Sequence, residues 1–424
     1  PPDAVRIEEF INYFDYDYAD PADGEPFAVH TELSDCPWND ETELLMVGIN
    51  TKSFDAVLDE RPAMNLVFLI DVSGSMYDDN KLPLVQKSFS MLTDNLTAAD
   101  RVSIVTYAGS DEVVLEGADG NDRKKILRAI NDLEAGGSTA GAAGINTAYD
   151  IAQKYFIDGG NNRVILATDG DLNVGLSSES ELTRLIEEKR ESGVFLSVLG
   201  FGTGNYKDNR LEALADYGNG NYSYIDSEKE AKKVLVDEMS GTLFTVAKDV
   251  KFQLEFNPAN VKGYRLIGYE NRVMAAEDFN DDTKDAGEIG AGHSVTVLYE
   301  IVLADSKMEL GESELKYASD SEDVMGDELL TVNIRYKEPE GSESKLLTYP
   351  VNKSLYSDKM SADMNFASCV AEFGMLLRNS RYIGDVTYKD VSAQLSKYDY
   401  SDDDYKDEFI YLVNTMKRRD TNFQ

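Results

Sequence analysis

Short apolar runs and helix-like stretches alternate between residues 61 and 246. In the helix-like stretches between these runs, apolar residues recur every three or four positions, for example at Val85, Phe89 and Leu92. The runs themselves are apolar almost throughout, which is typical of strands buried on both faces of a sheet; they cover 65–71, 102–107, 163–168 and 194–199. This alternation predicts a parallel, doubly wound α/β sheet, in which ligands bind at the carboxyl ends of the strands.

The sequence on either side of this region has a different period. Apolar and polar residues alternate one by one in segments 250–256, 293–300 and 330–336, which predicts antiparallel strands with one buried face. Residues 1–60 contain a helix-like stretch, Val5 to Phe14, and a strand-like one at 43–48. Because so short a segment cannot bury a core of its own, we expect it to pack with the later strands.

These patterns predict a four-part organisation. We expect a doubly wound, mostly parallel α/β sheet that is inserted in, or flanked by, an antiparallel β-sandwich domain, with a C-terminal helical segment. The corresponding ranges are an N-terminal segment 1–60, an α/β domain 61–246, an antiparallel β domain 247–352 and a helical segment 353–424. A helix predicted over 228–246 would lead directly from the α/β domain into the first antiparallel strand.

Charge and composition narrow the classes of function. The chain carries 41 Lys and Arg against 79 Asp and Glu, a formal net charge of −38, which excludes a nucleic-acid partner because such partners require a basic surface. No apolar run has the length of a membrane-spanning helix. The chain begins without a Met or a signal-peptide core, so we expect a longer protein. Cys36 and Cys369 are too few for a thiolate zinc site and are expected in the core, or as one disulfide if the protein is exported.

Oxygen-bearing side chains cluster where three predicted strand and helix ends meet. Asp71, Ser73 and Ser75 leave the first buried strand at alternate positions, which aims their side chains the same way, and Gly74 is expected to allow a sharp turn. Asp78 to Asn80 are expected to cap a helix that begins near Lys81.

Two further loops deliver oxygen atoms to the same edge of the sheet. Thr139 lies in the Gly-Gly-Ser-Thr loop before a predicted helix, and Asp169 follows the strand that begins at Arg163. Two carboxylates and three hydroxyls form a hard oxygen set that suits Mg²⁺ or Mn²⁺. The sequence therefore predicts a divalent metal site at Asp71, Ser73, Ser75, Thr139 and Asp169.

This set resembles the metal-ion-dependent adhesion site, or MIDAS, of the von Willebrand factor A (vWA) domain, whose Asp-x-Ser-x-Ser motif, Thr and second Asp all have counterparts here. The chain also resembles the bacterial YfbK-like vWA family through Cys36-Pro-Trp38-Asn39, Gly136 to Gly144, Gly159 to Asp171 and Asn257-Pro-Ala. The resemblance implies a Rossmann-like domain that holds Mg²⁺, with Mn²⁺ or Ca²⁺ as alternatives. In that family the hydroxyls bind the metal directly and the aspartates largely through water.

The resemblance further implies a binding module rather than an enzyme. An Asp or Glu of a partner protein would complete the coordination of the metal, and the protein would be secreted or anchored in a bacterial cell envelope. The alternative is a scaffold or chaperone-like subunit of an envelope complex in which the metal is structural. Hydrolase chemistry is disfavoured because the chain has only two histidines, His30 and His293, and no clear general base.

Two further stretches of polar residues are weaker candidates. Asp171 and Asn173 could orient metal ligands or lie in a solvated loop. The stretch Asp278 to Asp282 resembles the start of a calcium loop, but Thr283 and Ile289 replace the glycine and glutamate that such a loop needs. A solvated acidic loop is the preferred interpretation of this stretch.

Overall fold

A computed structural model of the chain describes residues 5–51, 61–137, 141–170, 179–202, 208–238, 245–269, 289–308, 326–339, 341 and 343–423. The chain divides into two compact units. The α/β unit comprises Ser53–Lys248 and Gly287–His293. The other unit comprises Pro1–Lys52, Asp249–Ala286 and Ser294–Gln424, and we call it the outer unit because its segments flank the α/β unit in the sequence.

The regular elements follow one another along the chain. In order, the strands are β1 (Phe27–Asp35), β2 (Glu43–Thr51), β3 (Met64–Asp71), β4 (Arg101–Tyr107), β5 (Asp111–Asp119), β6 (Asn161–Thr168), β7 (Phe195–Phe201), β8 (Tyr222–Ile225), β9 (Thr245–Phe256), β10 (Val261–Leu266), β11 (Ile289–Gly290), β12 (Ser294–Leu303), β13 (Glu328–Lys337) and β14 (Ser344–Asn352). The helices are α1 (Ile7–Ile11), α2 (Leu82–Thr93), α3 (Arg123–Asn131), α4 (Gly141–Lys154), α5 (Glu179–Arg190), α6 (Asp208–Tyr217), α7 (Glu228–Lys232), α8 (Ala362–Arg378), α9 (Tyr388–Leu395) and α10 (Asp404–Phe423).

The α/β unit is built on a six-stranded sheet with the order β5-β4-β3-β6-β7-β8. All its pairings are parallel except that of β4 with β5. Every residue of the central strand β3 is buried. Phe68 joins the hydrophobic cluster that includes Val85 of α2, whereas the next residue, Leu69, joins the cluster that includes Tyr149 of α4. Because successive strand residues point to opposite faces, both faces of the sheet are covered by helices, which confirms the predicted fold class.

Several local features of this unit differ from the expectation. The antiparallel edge strand β5 and the short strand β8 were not predicted; β5 buries only Leu115 and Ala118, so it lacks a continuous apolar run. The helix predicted over 228–246 is wrong in length. Helix α7 passes into one π-helical turn that ends at Asp237, and β9 already begins at Thr245.

The outer unit contains antiparallel sheets and a helical layer. One sheet has the order β1-β2-β12-β10, so a hairpin from the first 51 residues shares a sheet with strands found 200 residues later. In the other, β13 lies between β9, which belongs to this unit from Asp249 onward, and β14. The short β11 pairs with Thr245 and Ala247 within the α/β unit. Alternation of buried and accessible positions along β13 matches the predicted one-faced strands.

The helices of the outer unit share one aromatic core with the start of the chain. Helix α1 is shorter than the predicted Val5 to Phe14 segment, but Phe14 lies in the same core. Its ring packs edge-on against Phe366 of α8 and Phe409 of α10, with centroids 4.9 Å and 5.6 Å apart. Aromatic pairs of this geometry stabilise a core beyond their buried area.

The Cys-Pro-Trp-Asn stretch forms part of a buried polar cluster around Glu300. The Trp38 ring nitrogen, the Asn39 amide and the Thr42 hydroxyl donate to the Glu300 carboxylate at 3.3 Å, 2.7 Å and 2.9 Å. Arg265 adds an ion pair at 2.5 Å. Burial alone would raise the pKa of Glu300, but the hydrogen bonds from Arg265 and Asn39 outweigh it and hold the pKa below its usual value. The motif therefore secures the turn between β1 and β2.

Both cysteines are free and lie in the core of the outer unit. Burial raises the pKa of the Cys36 thiol to about 12 and that of Cys369 well above its usual value, so neither is a ready nucleophile. Within the part of the chain that the structure describes, no helix combines the length and apolarity needed to cross a lipid bilayer.

Candidate metal-binding site

Asp71, Ser73 and Ser75 converge where β3 ends. Asp71 is the last residue of β3, and a short 3₁₀ turn, Gly74–Tyr77, follows it. The Ser73 backbone N–H donates to Asp71 Oδ1 at 2.9 Å, and the Ser73 and Ser75 hydroxyl oxygens lie 3.0 Å apart. Asp71 and Ser73 are both buried. The three predicted oxygen donors of this strand end are therefore brought together.

Asp169 reaches the same edge of the sheet from β6. Strands β3 and β6 pair in parallel with Ile70 beside Ala167, so the residues that follow each strand emerge side by side. The Thr168 hydroxyl lies 3.4 Å from Asp71 Oδ2 and links the two strand ends. Asp169 itself is buried. The structure thus places the second predicted aspartate in the same locality as the first.

The loop before α4 is tied to the loop after β3 by backbone hydrogen bonds. The Gly136 N–H donates to the Val72 carbonyl at 2.7 Å, and the Gly74 N–H donates to the Gly137 carbonyl at 3.2 Å. Gly74 does not have the positive φ that a glycine-dependent turn would require, whereas Gly137 has φ +84°. The turn is therefore not the reason for a glycine at position 74, contrary to expectation.

Some predicted residues lie outside the described part of the chain. Thr139 is among them, as are Asp171 and Asn173 and the acidic stretch Asp278 to Asp282. Their assignment as metal ligand, orienting groups and solvated loop stays a prediction.

Burial and charge shape the electrostatics of the site. Burial is the largest cause of a raised pKa for Asp71, and the nearby charge of Asp169 adds to it; the hydrogen bonds from Ser73 act in the opposite direction. The Tyr107 hydroxyl is fully buried beside the Asp71 carboxylate and the Thr168 hydroxyl, and burial is the largest cause that raises its pKa, followed by the charge of Asp71. Two neighbouring buried carboxylates favour a positive charge between or beside them.

Lys81 is a component of the site that the sequence reasoning missed. Its ammonium donates to Asp169 Oδ2 and to the Ser75 carbonyl oxygen, both at 2.9 Å. Asp78 to Asn80 do not cap α2 as expected: Lys81 occupies the N-cap position, and no side chain caps this helix end. The signal that could have revealed the contact is a lysine within ten residues of the Asp-x-Ser-x-Ser motif in an otherwise acidic chain.

The donor set suits a hard divalent cation. Among the described residues, no cluster of three or more His, Cys, Asp and Glu side chains has a metal-binding arrangement, and the oxygen atoms brought together here come from Asp71, Asp169, Ser73 and Ser75. Two carboxylates with hydroxyl oxygens match the preference of Mg²⁺, which is usually held by one or two carboxylates and retains several water molecules. The residues present therefore fit Mg²⁺ or Mn²⁺.

Known protein families match most of the length of the chain. Three family models match: "von Willebrand factor" at residues 1–46, "von Willebrand factor type A domain" at 65–237, and "Uncharacterized protein YfbK, C-terminal" at 241–418. The Escherichia coli (strain K12) protein YfbK is 45% identical over 425 aligned positions, which cover 97% of this chain and 73% of that protein. The chain belongs to the YfbK-like family of vWA-domain proteins.

More distant similarities are confined to part of the chain or to the fold. A Synechocystis protein, sll0103, is 29% identical over 44% of this chain and 43% of its own length. A solved structure, the von Willebrand factor type A protein from Catenulispora acidiphila, covers 92% of this chain and 89% of its own at 15% identity and a TM-score of 0.44. Proteins with vWA domains generally mediate protein–protein interactions, and the matched range 65–237 includes all five predicted metal ligands.

Proposed function

We propose that this protein is a metal-dependent protein-binding module. Asp71, Ser73, Ser75, Thr139 and Asp169 would hold Mg²⁺, or Mn²⁺ or Ca²⁺ in its place, at the carboxyl edge of the α/β sheet. The bound metal supplies an open coordination position for an Asp or Glu carboxylate of a partner protein. The single observation that carries the proposal is the convergence of two buried aspartates with the Ser73 and Ser75 hydroxyls at one edge of the α/β sheet.

An exposed aromatic side chain beside these ligands supports a partner surface. Tyr77 ends the 3₁₀ turn that carries Ser75, and it is 80% exposed, whereas its neighbour Met76 is fully buried. Tyrosines are enriched among the residues that dominate protein interfaces, because they bury a large area at low entropic cost. We infer that the partner's acidic residue binds at the metal while an apolar or aromatic neighbour packs on Tyr77.

The proposed role is recognition rather than catalysis. His30 lies in β1 of the outer unit, where its ring Nε2 donates to the Ala19 carbonyl and to Asn50 Oδ1 and the ring stacks on Tyr18. These contacts give His30 a structural role in the outer unit. We further propose an extracytoplasmic location, secreted or bound to the cell envelope, as the family resemblance suggests.

A capture experiment tests the proposal. The immobilised full chain is incubated with a cell-envelope extract of its own organism in Mg²⁺ or in EDTA, and bound proteins are quantified by mass spectrometry. We expect a defined partner to be retained in Mg²⁺ and lost both in EDTA and with Thr139→Ala. The matched control, Thr348→Ala, removes an exposed threonine of the outer unit and should retain the partner. Retention that is insensitive to EDTA would contradict the proposal and point to another surface.

Tyr77→Ala should weaken partner capture without affecting the metal. We expect a loss of about tenfold or more in partner affinity, the cost of removing a tyrosine that dominates an interface, because the side chain contacts the partner and not the cation. Calorimetric titration with MgCl₂ should give the same affinity as the wild type. Tyr264→Ala, which removes a 59% exposed tyrosine of the outer unit, is the control. Undiminished capture by Tyr77→Ala would show that the partner does not contact this rim.

A further inference from the structure

The side chain of Lys81 occupies a position from which it acts directly on the proposed metal site. It lies immediately before α2, and its ammonium bridges the loop after β3, through the Ser75 carbonyl, to Asp169 after β6. The ion pair is shielded from water, since the two side chains are 18% and 5% exposed. An ion pair in such surroundings is screened far less than one on the surface.

The hydrocarbon part of Lys81 is held in place by a third strand end. Gly202 follows β7 and has φ +87°. A Cβ atom at this position would lie 2.7 Å from Lys81 Cε and 3.1 Å from Cγ, so the lysine stem runs directly over the glycine. The absence of a side chain at Gly202 leaves room for this path. The position of the ammonium is thus set by packing as well as by charge.

We propose that Lys81 is a built-in cation that competes with the divalent metal for Asp169 and thereby lowers the metal affinity of the site. This inference rests on the proposed function of that site. Asp169 is one of the two carboxylates available to the metal, and a lysine ammonium is a compact positive charge. A divalent ion bound a few ångströms from this ammonium is repelled by it, and an ion that binds Asp169 Oδ2 displaces it. Either effect makes metal binding weaker and more readily reversed.

The affinity of the metal alone tests this inference. The full chain, stripped with EDTA and dialysed, is titrated with MgCl₂ by calorimetry and with MnCl₂ by electron paramagnetic resonance, as wild type, Lys81→Met and Lys81→Gln. We expect both Lys81 variants to bind each metal at least about tenfold more tightly, which corresponds to about 1.4 kcal/mol. The matched control is Lys87→Met, which removes from the adjoining helix α2 an exposed lysine paired with Glu228 and should leave the affinity within about twofold.

The outcomes separate this inference from the proposed function. If the wild type binds metal and both Lys81 variants bind equally or more weakly, Lys81 merely supports the loops and the inference is wrong while the metal site stands. If neither the wild type nor any variant binds either metal, both proposals fail. Binding only by the Lys81 variants would support competition in its strongest form. Circular dichroism establishes that each variant is folded, and Lys81→Gln keeps a polar side chain in case Lys81→Met is unstable.

Discussion

Replacing Asp71 with asparagine should abolish Mg²⁺ binding without unfolding the protein. The carboxamide keeps an oxygen that accepts the Ser73 N–H but removes one of the two buried negative charges, and we expect metal affinity to fall by about a hundredfold or more. Since burial and Asp169 raise the pKa of Asp71, the ionised carboxylate is unfavourable in the metal-free protein. The variant should therefore be as stable as the wild type, or more stable, in EDTA near neutral pH.

Thermal unfolding with and without Mg²⁺ measures both parts of this result. A ligand that binds only the folded state at about a hundred times its dissociation constant stabilises it by about 2.7 kcal/mol, so Mg²⁺ should raise the melting temperature of the wild type and not that of Asp71→Asn. Asp158→Asn, which neutralises an exposed aspartate of the same unit, should respond to Mg²⁺ as the wild type does. Collapse of Asp71→Asn in EDTA would instead favour a structural role for this carboxylate, as in the scaffold alternative.

Glu300→Ala should lower the stability of the outer unit by about 2–3 kcal/mol, since three buried or half-buried donors lose their acceptor and the partly exposed Arg265 loses its ion-pair partner. Arg265 would lose its partner, and the Trp38 ring nitrogen, the Asn39 amide and the Thr42 hydroxyl would each lose an acceptor. Urea unfolding followed by tryptophan fluorescence measures the effect in this unit, because Trp38 is the only tryptophan of the chain.

Two further variants test whether the loss of stability comes from the hydrogen-bonded cluster or from removing a negative charge in general. Glu300→Gln keeps an acceptor for the polar neighbours but not the charge that pairs with Arg265, so its loss should be intermediate. Glu41→Ala removes an exposed carboxylate from the same hairpin and should change stability by less than about 0.5 kcal/mol. Mg²⁺ affinity should be unaltered in all three variants. A loss below about 1 kcal/mol for Glu300→Ala would contradict the importance assigned to the cluster.

The success of sequence reasoning varied with how each element is buried. Strand β3 could be predicted because both of its faces are covered, which leaves no polar position in its interior apart from Asn65. The edge strand β5 escaped prediction because it buries just two of its nine residues and so has no continuous apolar run. The helix predicted over 228–246 does not reach Val246, because α7 passes into a π turn that ends at Asp237 and β9 begins at Thr245.

The residues of the candidate site also divide into those that a local sequence pattern predicts and those that it does not. Alternate positions after a buried strand sufficed to place Asp71, Ser73 and Ser75 together, because strand geometry is local and regular. Asp169 could be added once two strands were assumed parallel and adjacent, and their pairing confirms that step. Lys81 could not be assigned, because its contact with Asp169 spans 88 residues of sequence and depends on the path of its stem over Gly202.

By itself, the sequence determined the α/β class, the strand that carries Asp71, and the oxygen chemistry at its end, since these depend on local periodicity and on the spacing of side chains. Only the tertiary structure decided that the first hairpin completes a sheet with β12, that Glu300 gathers the Cys-Pro-Trp-Asn stretch, and that Lys81 pairs with Asp169. Each of these contacts joins residues that are distant in the chain. Their partners are chosen by the packing of whole elements, which no local pattern of residues specifies.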